Sequence, residues 1–431
     1  MDDLFLLKIG EYFRQIRKEK NLRLEDLAEP GMSASTISNI ERGTNHNIKT
    51  MKKLAKKLGY SWEELINEIK SQKNDVKDDG KEYIRMMAAH TWIDLLKSQE
   101  GMGYLPDNSS YQAATPYFKG LFYMKRNQLE KASQQFLEAI RLTDERQDLS
   151  HLNGKSMSYR FLARIAYLRN EFEKALELAK KGLDCYIPSE IRDFPYFRLK
   201  TDQAIYLYKL GRIEEAYSEA KKIWDLRSKI SYVNVLMEAI DIYSRCLRHK
   251  KMFKEGLEVL SDGIYIARLN ESHDGAYMLW TTMGEFFNSI DDPEEAKYCF
   301  ETAIHLAEHV NNKEILPPTY RLLGEIYSKE KEWSLAEEYL LKAIKLSKHI
   351  ENNRDLFAAL KSTGEMYLLQ EDYAIAIQYF EQALKIAKKQ KEKDKVEEIL
   401  YFIAQSYKCL GMTKYYTILD ELITLRFSST K

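Results

Sequence analysis

The chain has 431 residues, with 66 basic and 66 acidic side chains, so its formal net charge is zero and a uniformly basic coat for nucleic acid is excluded. Its four cysteines are far apart and form no C-x-x-C pair, which indicates neither a disulfide framework nor a zinc ribbon. We therefore expect a reducing environment and only local DNA affinity.

The composition is that of an all-α protein. Only eight prolines and 18 glycines occur, and helix-forming Leu, Ala, Glu and Lys are abundant. The start Met1-Asp2-Asp3 lacks a signal-peptide pattern, and no run approaches the roughly 18 apolar residues of a membrane span. A soluble, cytoplasmic protein with no membrane partner is expected.

The N-terminal region predicts a helix over about residues 4–19, followed by a helix-turn-helix over residues 24–43. The motif consists of two short helices that flank a Pro30-Gly31 break. Ser33 is placed to cap the second helix, and Gly43 ends it. In such a motif the second helix lies in the DNA major groove.

A fourth helix is predicted from Lys49 to Gly59, and Ser61 is placed to cap a fifth. The fourth helix carries a row of lysines that suits phosphate contacts, although a solvated helix face explains the row equally well. These lysines are Lys49, Lys52, Lys53, Lys56 and Lys57.

Residues 9–69 resemble the DNA-binding domains of the lambda-repressor-like, Cro/C1-type class. The signature is Ser-x-x-x-Ile-Ser-x-Ile-Glu-Arg-Gly over residues 33–43, and the turn at residues 29–32 is one residue shorter than usual. The resemblance implies an ion pair between Arg17 and Glu41. Asn39 suits an adenine and Ala34 a thymine methyl group. The candidate DNA contacts are Ser33, Ala34, Ser35, Thr36, Asn39, Arg42 and Lys49.

The predicted organisation has four parts. Residues 1–70 form the helix-turn-helix domain, and the polar residues 71–81 form a linker. Residues 82–110 form a connecting helix and a loop, in which Gly101-Met102-Gly103 is interpreted as a turn. Residues 111–431 form a repeat domain.

A small residue recurs through the repeat domain at intervals of 43, 41 and then 40 residues. Mostly large apolar residues recur three and sixteen positions after it, and mostly small residues recur twelve and nineteen positions after it. This pattern predicts a helix pair that is repeated seven times, followed by an eighth, degenerate pair that acts as a cap. The pattern resembles the tetratricopeptide repeat, which implies a right-handed α-solenoid with a concave groove. The recurring small residues are Gly120, Ala163, Ala204, Ser244, Gly284, Gly324, Gly364 and Ala404.

The first helix of each pair is expected to line the groove. Arginine, asparagine and tyrosine there suit an extended peptide, although any water-filled concave face is polar. The candidate peptide-binding residues are Arg160, Arg164, Tyr167, Arg198, Thr201, Tyr208, Glu238, Asp241, Arg245, Arg248, Glu285, Asn288, Arg321 and Glu325, with Met278, Lys361 and Glu365 on the same face.

No catalytic constellation is recognisable in the sequence. The string His305-Leu306-Ala307-Glu308-His309 matches the H-x-x-E-H arrangement of some zinc peptidases, but no third ligand is signalled. We expect no enzyme activity, no metal and no cofactor.

The combination of the two parts resembles the peptide-pheromone-responsive RRNPP regulators, closest in layout to the neutral-protease-regulator and PlcR-like branches. The resemblance implies a transcription regulator of the quorum-sensing type: a homodimer that binds a double-stranded DNA operator and is switched by a short signalling peptide. One alternative is a Rap-like protein whose repeats bind a response regulator and promote its dephosphorylation, through a surface at residues 82–125. Another is a phage or plasmid regulator with a protein partner.

Overall fold

The computed structural model describes residues 3–20, 22–41, 47–66, 114–145, 153–188 and 194–427. Within these ranges the chain is helical, apart from turns and one isolated bridge between Glu29 and Met32. Two compact units divide at residues 145 and 146. The predicted linker at residues 71–81 and the connecting segment at 82–110 lie outside the described residues, so the four-part organisation stays a prediction.

The N-terminal domain consists of α1 (Asp3–Glu19), a 3₁₀ turn (Glu25–Leu27), α2 (Ala34–Glu41), α3 (Ile48–Lys57) and a helical turn α4 over residues 62–66. One apolar side of each segment faces a common core. The core comprises Ile9, Phe13, Ile16, Leu27, Met32, Ile37, Ile40, Met51, Leu54, Ala55, Leu58, Leu65 and Ile66.

The prediction of a full first helix in the helix-turn-helix is wrong, because this segment forms only the single 3₁₀ turn. Ala28 is already extended, with ψ of 146°, and the residue before Pro30 is biased away from helical conformation. Met32 N–H donates to the Glu29 carbonyl at 2.8 Å across a tight turn in which Gly31 has φ of +85°. Proline followed by a positive-φ glycine is the sequence requirement of a type II turn.

The predicted N-terminal caps Ser33 and Ser61 are confirmed, whereas Gly43, predicted to end α2, lies outside the described residues. Thr36 N–H donates to Ser33 Oγ at 3.2 Å, at the start of α2. Glu64 N–H donates to Ser61 Oγ at 3.1 Å and Ser61 N–H donates to Glu64 Oε2 at 2.9 Å, which is a reciprocal capping box. The fourth predicted helix, α3, begins at Ile48, one residue before Lys49, because Asn47 caps it.

Eight helix pairs follow in the described residues, as the period predicts. The last pair keeps the small Ala404 in its first helix but has Tyr416 and Ile423 where the second helices of most other pairs have small residues. The pairs are α5/α6 (Ala114–Lys125, Leu129–Glu145), α7/α8 (Gly154–Leu168, Phe172–Asp184), α9/α10 (Phe194–Lys209, Ile213–Asp225), α11/α12 (Val233–His249, Phe253–Leu269), α13/α14 (His273–Ser289, Pro293–His305), α15/α16 (Leu316–Lys329, Trp333–His349), α17/α18 (Asn353–Leu369, Tyr373–Gln390) and α19/α20 (Lys393–Cys409, Lys414–Phe427).

The recurring small residue lets the two helices of a pair approach each other. A Cβ atom added at Gly284 would lie 2.5 Å from Cε1 of Phe300, and one at Gly364 would lie 2.5 Å from Cε1 of Phe380. Where the small residue is Ala163 or Ala204, the residue sixteen positions later is alanine. At Gly284 and Gly364, glycine is therefore required because the phenylalanine ring occupies the space of a Cβ; at Gly324 the side chain of Leu340 does the same, 2.7 Å away.

We expect Gly284→Ala to lower the free energy of unfolding by about 1–3 kcal/mol, the cost of overpacking a filled core. Urea denaturation of the chain measures it. Gly284→Ala combined with Phe300→Leu should cost less than the sum of the two single changes, since the smaller side chain vacates the space that the new methyl group needs. Strict additivity would show that Phe300 is not the obstacle.

The first helices of neighbouring pairs pack directly against one another from α7 to α13, and again between α15 and α17. In the described residues, the second helices of neighbouring pairs make no contacts of that extent. Because the first helices are closer together, the stack curves toward them. They form the inner face on which the candidate groove residues lie.

Candidate functional site

The recognition helix α2 is held on α1 by a bidentate ion pair. Arg17 Nε donates to Glu41 Oε1 at 2.6 Å and Nη2 donates to Oε2 at 2.8 Å, while Nη1 donates to the Leu22 carbonyl at 3.0 Å. The hydrogen bonds that Arg17 donates to Glu41 raise the pKa of Arg17 despite partial burial. Glu41 is buried, with 6% exposure. The pairing that the Cro/C1-type resemblance implies is therefore present.

The candidate DNA-contacting residues differ in how exposed their side chains are. Ser35, Asn39 and Lys49 are exposed, whereas Ala34 and Thr36 are half-buried. Ser33 Oγ lies 2.8 Å from both Ser35 Oγ and Thr36 Oγ1, so the cap and the first turn share one hydroxyl cluster. Arg42 lies outside the described residues.

Two lysines of the α3 row have structural contacts, and the other three are exposed. Lys57 Nζ donates to the carbonyls of Leu27 and Ala28, at 2.9 and 3.1 Å, and so caps the shortened 3₁₀ turn. Lys52 Nζ lies 6.0 Å from the centre of the Trp62 ring. Phosphate contact by Lys49, Lys53 and Lys56 remains a prediction.

On the inner face of the solenoid, a ladder of ion pairs links three successive first helices. Arg160 Nε of α7 lies 2.9 Å from Asp202 Oδ2 of α9. Arg198 Nη2 lies 3.0 Å from Asp202 Oδ1, and Arg198 Nη1 lies 2.6 Å from Glu238 Oε1 of α11. Burial alone would raise the pKa of Asp202, but Arg198 and Arg160 outweigh it, so this pKa is lowered. The carboxylate is thus a charged, internal link.

The ladder continues from α11 to α13 around Arg245. Its Nε atom lies 2.9 Å from Asp241 Oδ2, and its Nη1 atom lies 3.0 Å from Glu285 Oε1. Arg248 Nη2 lies 2.5 Å from the second oxygen of Glu285, and Arg245 Nη2 donates to Thr282 Oγ1 at 2.9 Å. Burial opposes ionisation of Glu285, but the two arginines dominate and lower its pKa.

A second ladder segment links α15, α17 and α19. Arg321 pairs with Glu325, and Ser362 Oγ donates to Glu325 Oε1 at 2.5 Å. Lys361 pairs with Glu398. Between α13 and α15 the described residues contain no ion pair, and the link there is neutral: Thr281 Oγ1 lies 2.7 Å from Thr319 Oγ1.

One candidate peptide-binding residue does not face the groove. Thr201 is fully buried, and its hydroxyl donates to the Phe197 carbonyl, so it faces the helix backbone and not the groove. Most charged candidates contact one another. Opposite charges one repeat apart, such as Arg198 with Glu238 and Arg245 with Glu285, were the sequence signal of this pairing. Tyr167 and Tyr208 are half-buried, as is Met278, and Asn288 is exposed.

Three groove residues escaped the sequence analysis: Lys209 at the end of α9, and Arg354 and Asp355 at the start of α17. Arg354 faces the hydroxyl of Tyr167 on α7, five helix pairs earlier, and Lys209 lies near both Arg354 and Asp355. No periodic signal marks these positions, because the curvature of the whole stack brings them together.

The histidine string has separate local roles. His305 Nδ1 lies 2.7 Å from the Glu301 carbonyl, and the His309 ring lies 5.2 Å from that of His273. Over the described ranges, no group of three or more His, Cys, Asp or Glu residues is arranged to hold a metal ion. None of the described helices is long and apolar enough to cross a membrane.

Comparisons with known proteins agree with these two parts. Residues 13–65 match a family model described as helix-turn-helix, and residues 314–389 match one described as tetratricopeptide repeat. The HTH-type transcriptional regulator SinR of Bacillus licheniformis is 38% identical over 76 residues, which are 17% of this chain and 65% of that protein. The chain therefore spans about two thirds of this much shorter relative.

Two solved structures share the fold of the repeats. A Rap protein complexed with Competence and Sporulation Factor has a TM-score of 0.55 and 15% identity, over 80% of this chain and 98% of that one. The Rap conjugation gene regulator of the plasmid pLS20, in complex with the Phr* peptide, has a TM-score of 0.51 and 12% identity, over 80% and 94%. The chain thus joins a helix-turn-helix to tetratricopeptide repeats, and the repeats share the fold of these two Rap structures.

Proposed function

We propose that the protein is a sequence-specific transcription regulator of the quorum-sensing type, in which a short signalling peptide binds the groove and changes DNA affinity or oligomeric state. The observation that carries the proposal is the presence, in one chain, of an anchored recognition helix and an inner solenoid face rich in hydrogen-bonding side chains. A ligand can switch such a protein only if it prefers one arrangement over another.

Two copies of the chain are part of the proposal. A recognition helix of eight residues reaches few base pairs, so one copy supplies little specificity. A homodimer on a pseudo-palindromic operator doubles the contacts and sets the half-site spacing.

The first test selects duplexes from a randomised DNA pool with the purified chain. Light scattering and DNA binding are then measured with and without the product of any short reading frame beside the gene. A peptide-dependent change in either quantity supports the proposal. Specific DNA binding that no such peptide alters would remove the peptide switch and leave the DNA-binding role. Stimulated dephosphorylation of a response regulator would favour the Rap-like alternative.

We expect Asn39→Ala to weaken binding to the selected operator by about 5- to 100-fold, the effect of losing one bidentate base contact. Affinity for unrelated duplex DNA should be unchanged, because Asn39 is exposed and phosphate contacts supply non-specific binding. Gln15→Ala, which removes an exposed amide from α1, is the matched control and should leave both affinities intact. Equal operator affinity in both variants would remove Asn39 from the interface.

A further inference from the structure

Two walls of the groove meet where α7 and α9 face the start of α17. The ring of Tyr167 on α7 is tilted against that of Tyr206 on α9, with ring centres 5.4 Å apart, and its hydroxyl interacts with Arg354 of α17. Lys209 at the end of α9 lies within range of electrostatic interaction with both Arg354 and Asp355. We call this place the crossing; it comprises Arg164, Tyr167, Lys209, Arg354 and Asp355.

The crossing holds cations that lack a carboxylate partner. The arginines of the two ladder segments each contact at least one carboxylate oxygen at 3.0 Å or less. In the described part of the chain, Arg164, Lys209 and Arg354 have no carboxylate within ion-pair distance. Burial, together with the neighbouring positive charges of Arg354 and Arg245, lowers the pKa of Lys209 to about 8, although Asp241 and Asp355 oppose this shift.

Two carboxylates lie near these cations, and one of them is already paired with another arginine. Asp241 contacts Arg245 and accepts a hydrogen bond from Thr282. Asp355 accepts a hydrogen bond from Asn352 Nδ2 at 2.7 Å, and burial raises its pKa. The crossing therefore holds three positive side chains beside one carboxylate, that of Asp355. Arg164, Lys209 and Asp355 are half-buried and Arg354 is exposed, and an unbalanced charge is costly where it is desolvated.

We propose that the crossing is an anion-binding subsite, in which a carboxylate of the bound peptide lies between Lys209 and Arg354. The inference rests on the proposed peptide-binding function and gives the peptide a required chemical group. One carboxylate has two oxygen atoms, so it can accept hydrogen bonds from both walls at once. Tyr167, which is half-buried, provides an aromatic surface for the adjoining part of the peptide, and the buried Tyr206 packs beside it.

The position of the subsite matters for switching. Arg164 and Lys209 lie on α7 and α9, two helices that the first ladder segment links, and Arg354 lies on α17, which the second segment links to its neighbours. The two segments are joined at α13 and α15 by the neutral Thr281–Thr319 contact. A carboxylate at the crossing ties the segments together from the opposite side of the groove, so its binding favours one curvature of the solenoid.

The experiment uses a randomised heptapeptide library, prepared once with free C-terminal carboxylates and once as C-terminal amides, and screened against the full chain. Peptides retained by the chain are sequenced, and their affinities are measured by titration calorimetry. The variants are Lys209→Met and Arg354→Gln, with Lys209→Arg to keep the charge. Lys221→Met removes an exposed lysine from α10 and is the matched control.

We expect retained peptides to come from the carboxylate library or to be enriched in Asp and Glu. Lys209→Met and Arg354→Gln should each weaken them about 10- to 100-fold, the usual effect of losing a charge-assisted hydrogen bond. Lys209→Arg and Lys221→Met should keep the affinity. The melting temperature of Lys209→Met should equal that of the unsubstituted chain, because the change leaves no carboxylate without an ion-pair partner.

Two other results overturn the inference in different ways. Peptides retained equally from both libraries, without acidic enrichment and with unchanged affinity for Lys209→Met, would refute the subsite while leaving groove binding intact. Retention of no peptide from either library would refute the proposed peptide function, and the subsite with it.

Discussion

Replacing Glu41 with alanine should destabilise the N-terminal domain by about 3 kcal/mol and abolish operator binding. The change removes both acceptors of the bidentate pair and leaves the Arg17 guanidinium largely desolvated, with only the Leu22 carbonyl as a partner. Because Glu41 is the last residue of α2, the loss frees the recognition helix from α1. Hydrogen exchange measures the loss of stability in each part of the chain: amides of residues 9–66 should exchange faster, and those of residues 194–427 should not.

The control for this experiment is Glu63→Ala, which removes an exposed glutamate from α4 in the same domain. It should change stability by less than about 0.5 kcal/mol, as is usual for a surface residue without a buried partner. If the amides of the domain exchanged as slowly in Glu41→Ala as in Glu63→Ala, the ion pair would contribute nothing to stability and the apolar core alone would position α2.

Much of the fold could be predicted because it depends on residues that are close in sequence or repeat at a fixed spacing. Gly284 and Phe300 belong to one helix pair, so their offset is visible without coordinates. The Arg17–Glu41 pair followed from the Cro/C1-type resemblance, and the Ser61 cap followed from local residue types. Such features need only periodicity and capping chemistry.

The shortened helix before Pro30 was missed because helix propensity favours residues 24–29, whereas turn geometry decides the outcome. Gly31 needs a positive φ and Pro30 restricts the residue before it, so too few residues remain for a full α-turn. A local rule about proline outweighed the apolar spacing of Leu24, Leu27 and Ala28.

The groove was harder to predict than the fold. Residue type and position identify Arg198 and Arg245 as inner-face residues, but do not say that they are paired with other repeats. The crossing depends on the summed curvature of several helix pairs, which no single repeat encodes. Candidate peptide contacts chosen by helix face therefore include Thr201, which is buried, and omit Lys209 and Arg354.

Replacing Asp202 with alanine should have the largest effect on the solenoid, a loss of about 3–5 kcal/mol in the free energy of unfolding. The carboxylate lies between Arg160 and Arg198, whose side chains are only 8% and 10% exposed. Its removal leaves two buried guanidinium groups with like charge and fewer partners. Differential scanning calorimetry at neutral pH measures the effect.

Glu365 provides the opposite case on the same inner face. Burial raises its pKa, with Glu325 and Glu398 adding to the rise, although Lys361 opposes it. Its negative charge is therefore unfavourable in the folded protein, and Glu365→Gln should be neutral or slightly stabilising at neutral pH. A large loss of stability in Glu365→Gln would mean that the Lys361 contact outweighs burial and the neighbouring carboxylates.

The two carboxylates also predict opposite responses to acid. The folded pKa of Asp202 is lowered, so its stabilising contribution is complete above the unfolded value of about 3.9 and is lost as the pH falls through the folded value. The folded pKa of Glu365 is raised, so its unfavourable contribution is relieved as the pH falls through that higher value toward the unfolded value of about 4.3. Asp202→Ala should therefore flatten the loss of stability below about pH 4. Glu365→Gln should remove a small gain at slightly higher pH, and identical pH profiles for all three proteins would show that neither carboxylate is coupled to folding.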